Sequence, residues 1–199
     1  YTELIESGKL GIEKLGKAYE TRGWCHIRIG NYGAAVADFD RELRLTPKSA
    51  AAYNGRGWAN MKLEKYDAAL GDFNSASALS PRYAMVLNNH GVLLKNMGRR
   101  DQAKENYLRA IELDNDPEAK AYALLNLAWI EYQEGRTESA FSFTNNAVEI
   151  LPDYAMGYNN RGAIREDMGQ HEEAMADYAK AIDLNNDSEA SAHALLNRG

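Results

Sequence analysis

An all-α array of antiparallel helix pairs is the fold class this sequence predicts, and three observations predict it. Small residues recur at a fixed spacing: Gly23, Gly57 and Gly91 lie 34 residues apart, Ala128 follows after 37, Gly162 after 34 and Gly199 after 37. With those residues counted as position 8 of a unit, position 20 is alanine in all five units: Ala35, Ala69, Ala103, Ala140 and Ala174. The composition suits helix, with 4 prolines in 199 residues and no strand-type runs of Val, Ile and Thr. A repeat of this length signals stacked units that each touch only their neighbours.

Each unit divides into two helices. Positions 4, 7, 8 and 11 fall on one face of the first, and positions 17, 20, 24, 27 and 28 on one face of the second. Small residues at 8 and 20 let the two helices approach closely, and a ring at 24 fills the space beside them: Phe39, Phe73, Tyr107 and Tyr178, with Thr144 departing beside Phe143. Position 27 is Glu42, then Ala76, Ala110, Ala147 and Ala181. Gly30, Gly98, Gly135 and Gly169 stand between the helices, where a left-handed residue ends the first one, whereas Glu64 holds that place in the second unit, so that turn is made differently or at some cost. Pro47, Pro81 and Pro152 stop the second helix. The two units without that proline read Asn115-Asp116-Pro117-Glu118 and Asn186-Asp187-Ser188-Glu189, and three added residues there lengthen the next first helix by almost a turn.

The expected organisation is one elongated domain over 1–199. Residues 1–15 are the end of a preceding unit and a linker, five units occupy 16–49, 50–83, 84–120, 121–154 and 155–191, and 192–199 begin a sixth first helix. A start at Tyr1 and a stop inside a helix at Gly199 read as a fragment of a larger protein.

These positions resemble the tetratricopeptide repeat family along essentially the whole chain. The Asn-Arg-Gly triplets ending at Gly162 and Gly199, with Gly55-Arg56-Gly57 a variant, resemble a subset in which Arg22, Arg56, Arg161 and Arg198 replace the usual leucine at position 7. Their aliphatic stems are expected to lie on the packed face. The resemblance implies a right-handed superhelical solenoid whose first helices line a concave groove.

In that family positions 2, 5, 6, 9, 12 and 13 face the groove. Position 9 holds all three tryptophans, Trp24, Trp58 and Trp129, while positions 5 and 6 hold Asn54, Asn88, Asn89, Asn126, Asn159 and Asn160. Asparagine is a mediocre helix former, so its recurrence needs a reason. A ladder of amides can both donate to and accept from an extended backbone, while tryptophan supplies apolar area. Two other readings stand beside this one: Asn at position 6 bonding between adjacent first helices, and Trp at position 9 as packing between units. Met61, Met85, Met156, Lys95, Tyr122 and Tyr132 would share the surface.

The function implied is a scaffold that binds an extended segment of a protein partner. A self-associating assembly protein and the substrate-selecting arm of a larger enzyme are the alternatives. The clamp by which some family members hold acidic chaperone tails needs lysine at position 5, where this chain has Glu20, Asn54, Asn88, Leu125 and Asn159. No catalytic step, metal or cofactor is expected: His26, His90, His171 and His193 occupy four different positions, and the glycines are used by the repeat or its turns. A net charge of -6 argues against nucleic acid. No apolar run approaches the ~20 residues of a membrane span; the compartment is left open, with the cytoplasm slightly favoured, because a fragment carries no targeting information. Cys25 is expected to be a small buried residue, and Asp38, Asp40, Asp72 and Asp177 a solvated outer face.

Overall fold

A computed structural model describes residues 2–6 and 11–184. Among them all regular structure is helical: α1 (Thr2–Glu6), α2 (Ile12–Arg28), α3 (Tyr32–Leu45), α4 (Ala50–Lys62), α5 (Tyr66–Leu79), α6 (Ala84–Asn96), α7 (Arg100–Leu113), α8 (Pro117–Gln133), α9 (Thr137–Ile150), α10 (Ala155–Asp167) and α11 (His171–Leu184). No helix is long and apolar enough to cross a membrane. The expected sixth first helix and the Asn186–Glu189 junction lie outside the described residues.

The chain forms two compact units, 1–103 and 104–199. In the first, α2 pairs with α3 and α4 with α5, and the first helices α2, α4 and α6 lie side by side as an inner row. In the second, α8 pairs with α9 and α10 with α11, and α8 touches α10. The turns follow the sequence closely. Gly30, Gly98, Gly135 and Gly169 have φ of 74° to 75°, and Glu64 takes the same left-handed turn at φ 60°. Its Cβ meets the carbonyl there, which costs roughly 1 kcal/mol. The helix after the first lengthened junction, α8, has 17 residues against 13 in α4, α6 and α10. Asp116 caps it by accepting from the Ala119 N–H at 3.0 Å.

Close approach of the paired helices depends on position 8. A Cβ added to Gly162 would stand 2.6 Å from the Tyr178 ring, so any side chain there must displace the aromatic core. The fourth repeat solves the same problem the other way: Ala128 is larger than glycine, and the residue at position 24 shrinks to Thr144. The hydroxyl of this wholly buried threonine donates to the Ala140 carbonyl at 2.8 Å, leaving no polar group unsatisfied there.

The arginines at position 7 do more than lay down their stems. Arg22 grips Asp38 with two bonds of 2.6 Å, Arg56 grips Asp72 at 2.6–3.1 Å, and Arg161 grips Asp177 at 2.7 and 2.9 Å. In each case the carboxylate lies 16 residues on, at position 23 of the paired helix. Arg56 and Arg161 also reach back to the preceding repeat, to Asp40 at 2.6 Å and Asn145 at 2.9 Å. A tyrosine one turn earlier stacks on each guanidinium: Tyr19, Tyr53 and Tyr158. Asp38, Asp72 and Asp177 are therefore buried, which corrects the expectation of a solvated face; Asp40 alone of that set is not buried. Charge-assisted, forked bonds are what make burial of these carboxylates tolerable. Although burial disfavours the charged form of Arg56, its bonds to Asp72 and Asp40 outweigh that and raise its pKa.

Glu42 is the exception at position 27. It is 3% exposed, accepts a bond from Ser49 Oγ at 2.8 Å on Oε1, and has no partner on Oε2. Burial pushes its carboxyl up to about 7 from the usual 4.5, against the bond from Ser49.

Two predictions follow from these buried carboxylates. Asp72→Ala strands the Arg56 and Asn60 donors and is expected to cost roughly 2–4 kcal/mol in urea unfolding, whereas Asp40→Ala at the solvent end costs under about 1 kcal/mol. For Glu42, the folded chain holds the proton more tightly than the unfolded chain. Stability therefore falls as pH rises from about 4.5 to about 7 and does not recover above it. Glu42→Gln removes this slope, so thermal melts should show the variant more stable than the parent at pH 8, by about 1–3 kcal/mol, and similar to it at pH 5.

Candidate functional site

All thirteen sequence-selected groove residues lie on first helices, but they fall into two layers. In the unit of residues 1–103, α4 and α6 bring Asn54, Asn88 and Asn89 together below the surface. Asn89 Nδ2 donates to Asn54 Oδ1 at 3.0 Å, across the two helices, and Asn88 Nδ2 donates to Asn89 Oδ1 at 3.3 Å. These three amides act first as a bond between neighbouring repeats. Asn54 Nδ2 is buried without a partner, one donor this small network does not use.

Above that layer, Trp24 and Trp58 are half-buried. Trp24 packs edge-on to Phe39 with ring centres 5.7 Å apart, and Trp58 packs against the cluster of Met61, Phe73 and Leu93. Each ring thus serves packing between helices and still shows one side to solvent. Met85 and Lys95 are also half-exposed, and burial holds the Lys95 ammonium below the usual lysine range. Met61 is in the core and not on the surface.

The unit of residues 104–199 presents a more open face. Trp129 is 42% exposed, and its ring lies 5.8 Å from that of Tyr132. The Tyr132 hydroxyl donates to the Asp167 carboxylate on α10, a bond that raises the phenol to about 12. One turn before Asn126, Tyr122 packs edge-on to Tyr154 at 5.2 Å and donates to Glu118 at 2.7 Å. Asn126 Nδ2 donates to the Tyr122 carbonyl at 3.0 Å, so part of its amide serves its own helix. Asn159 is buried with Oδ1 unpartnered, while Asn160 is half-exposed.

Sequence reading did not find Asp167 as the anchor of Tyr132. The signal was present: Tyr132 to Asp167 and Asn54 to Asn89 are both separations of 35, the offset between facing residues of consecutive first helices. Cys25 is exposed and not buried, because position 10 turns away from the packed side of α2. Among the described residues no group of three or more His, Cys, Asp or Glu could hold a metal ion.

The two layers separate by stability. Asn89→Ala leaves the Asn54 amide buried and unpaired and should cost about 1–3 kcal/mol in urea unfolding. Trp129→Ala, at an open position, should cost less than about 1 kcal/mol.

Comparison with known proteins matches this geometry. Sequence models of the tetratricopeptide repeat match residues 21–84, 82–153 and 155–188. A Photosystem I assembly protein Ycf3 from Rippkaea orientalis is 31% identical over 93 residues, covering 43% of this chain and 54% of that protein. The chain thus spans about half the length of that relative. Among solved structures, PilF of Pseudomonas aeruginosa superposes with a TM-score of 0.76 at 19% identity, over 94% of this chain and 90% of that one. YrrB, described as a TPR protein with an unusual peptide-binding site, superposes with a TM-score of 0.55 at 26% identity, over 98% and 97%. With its helix pairs in register and repeat matches running from residue 21 to 188, the chain belongs to the tetratricopeptide repeat family.

Proposed function

We propose that this chain is a protein-interaction module that holds an extended segment of a partner protein against its first helices, and that it acts by binding and not by catalysis. The observation that carries the reading is Trp129: a large ring, 42% exposed, on the inner row beside Tyr132. Solvent-facing aromatic rings held rigid by a helix give contact area at little entropic cost, and they dominate binding energy where they occur at interfaces. Tyr122, Asn126 and Asn160 of the same unit would add aromatic and amide contacts around it. Asn54, Asn88, Asn89 and Asn159 would serve from below, fixing the spacing of the helices. The peptide-binding site named for YrrB and the assembly role named for Ycf3 are consistent with this class of activity.

Selection of random peptides on the immobilised chain, followed by calorimetry, tests the proposal. A selected peptide should lose at least about tenfold in affinity when Trp129→Ala is combined with Tyr132→Ala, with helicity by circular dichroism unchanged. Undiminished affinity would move the site elsewhere. Sedimentation of the same samples addresses self-association, for which the exposed Ile12 and Ile29 are the candidates: a dimer broken by Ile29→Lys would favour assembly over peptide capture.

A further inference from the structure

Position 13 carries a cation in both of the first two repeats, Arg28 and Lys62, each four residues after a tryptophan, Trp24 and Trp58. Four residues is about one helical turn, so ring and charge share a face. Lys62 Nζ lies 5.3 Å from the centre of the Trp58 ring. In the third repeat the cation moves by one residue, to Lys95 at position 12.

The groove-facing positions of residues 16–103 hold Lys17, Arg28, Lys62 and Lys95 against a single carboxylate, Glu20, which Lys17 already binds at 2.8 Å. Arg28 and Lys62 are exposed, and no described carboxylate pairs with either. The equivalent positions in 104–199 hold Glu166 and Asp167 and no cation. On a chain of net charge -6, the first unit's inner row is thus locally reversed in sign. Cations in the last turn of α2, α4 and α6 also complement the helix carbonyls. That role explains a charge at a helix end. It does not explain a tryptophan one turn before the charge twice over, nor the lack of any basic residue in the last turn of α8.

Resting on the reading of the first helices as a binding surface, we infer that residues 16–103 take an acidic extended segment with Asp or Glu at every third position. Adjacent packed helices stand about 8–10 Å apart. A segment in the extended polyproline II form advances about 3.1 Å per residue with three residues per turn, so every third side chain returns to the same face and three residues carry the segment from one first helix to the next. Carboxylates at that interval meet Arg28, Lys62 and Lys95 in turn. The residues between them lie on Trp24 and Trp58.

The test is calorimetry of the full chain with an acetylated, amidated peptide of three Asp-Leu-Gly repeats. The control has the same composition with its three Asp contiguous. The spaced peptide should bind at least about fivefold tighter, and its affinity should fall as salt is added. Arg28→Gln with Lys62→Gln should cut that affinity at least about tenfold, with the melting temperature changed by no more than about 2 °C. Equal binding of the contiguous peptide, or full affinity in the double variant, overturns the inference. A neutral or basic peptide that binds this face and needs Trp58 overturns the acidic assignment alone. If no peptide binds the face at all, the groove reading fails with it.

Discussion

The close contact of paired helices at one small residue per repeat is the constraint on which the remaining structure depends. A glycine at position 8 places the ring at position 24 directly against the first helix, as Tyr178 lies against Gly162. Once the backbones are that near, position 20 must also be small, and Ala35, Ala69, Ala103, Ala140 and Ala174 are all completely buried. The fourth repeat shows that total volume is conserved and not the identity of any one residue. It gains a methyl at Ala128 and loses a ring at Thr144.

This close packing forces a choice on the residue one place before. Position 7 points between the two helices, and it is arginine in three repeats, His90 in the third and Leu127 in the fourth. Three described repeats choose pairing and carry a set: tyrosine at 4, arginine at 7 and aspartate at 23. The fourth repeat chooses the apolar answer at all three positions, with Leu124, Leu127 and Phe143. Changing one member alone leaves a charge unpaired in a poorly solvated place, so the set varies as a block. Reaching back to Asp40 and Asn145, Arg56 and Arg161 also tie the second and fifth repeats to the ones before them.

The inner row inherits its properties from this scaffold. Consecutive first helices are held near enough for Asn89 to bond Asn54 and for Tyr132 to bond Asp167. Amides nearest the contact are consumed by it, while rings one or two turns further along remain partly open. Framework and proposed binding surface are therefore two depths of one row of side chains, which is why a single repeating asparagine pattern suggests both roles.

Much of this was determined by the sequence alone. The 34-residue period, the glycine turns, the Asp116-Pro117 helix start and the placement of all three tryptophans at one position follow from local rules of helix geometry and capping. What required the tertiary structure was the fate of polar side chains. Asp38 and Asp40 are equally acidic and two residues apart, yet Asp38 is buried in the two-bond grip of Arg22 on the paired helix, while Asp40 stays half-exposed with a single bond from Arg56 of the next repeat. Likewise Cys25 is exposed beside the half-buried Trp24, Glu42 is buried where its counterparts are alanine, and Asn54 is spent on Asn89. Periodicity says which side of its own helix a residue occupies. Whether that side meets water, a ring or an opposite charge is set by the helix opposite, and for a polar group that difference amounts to several kcal/mol.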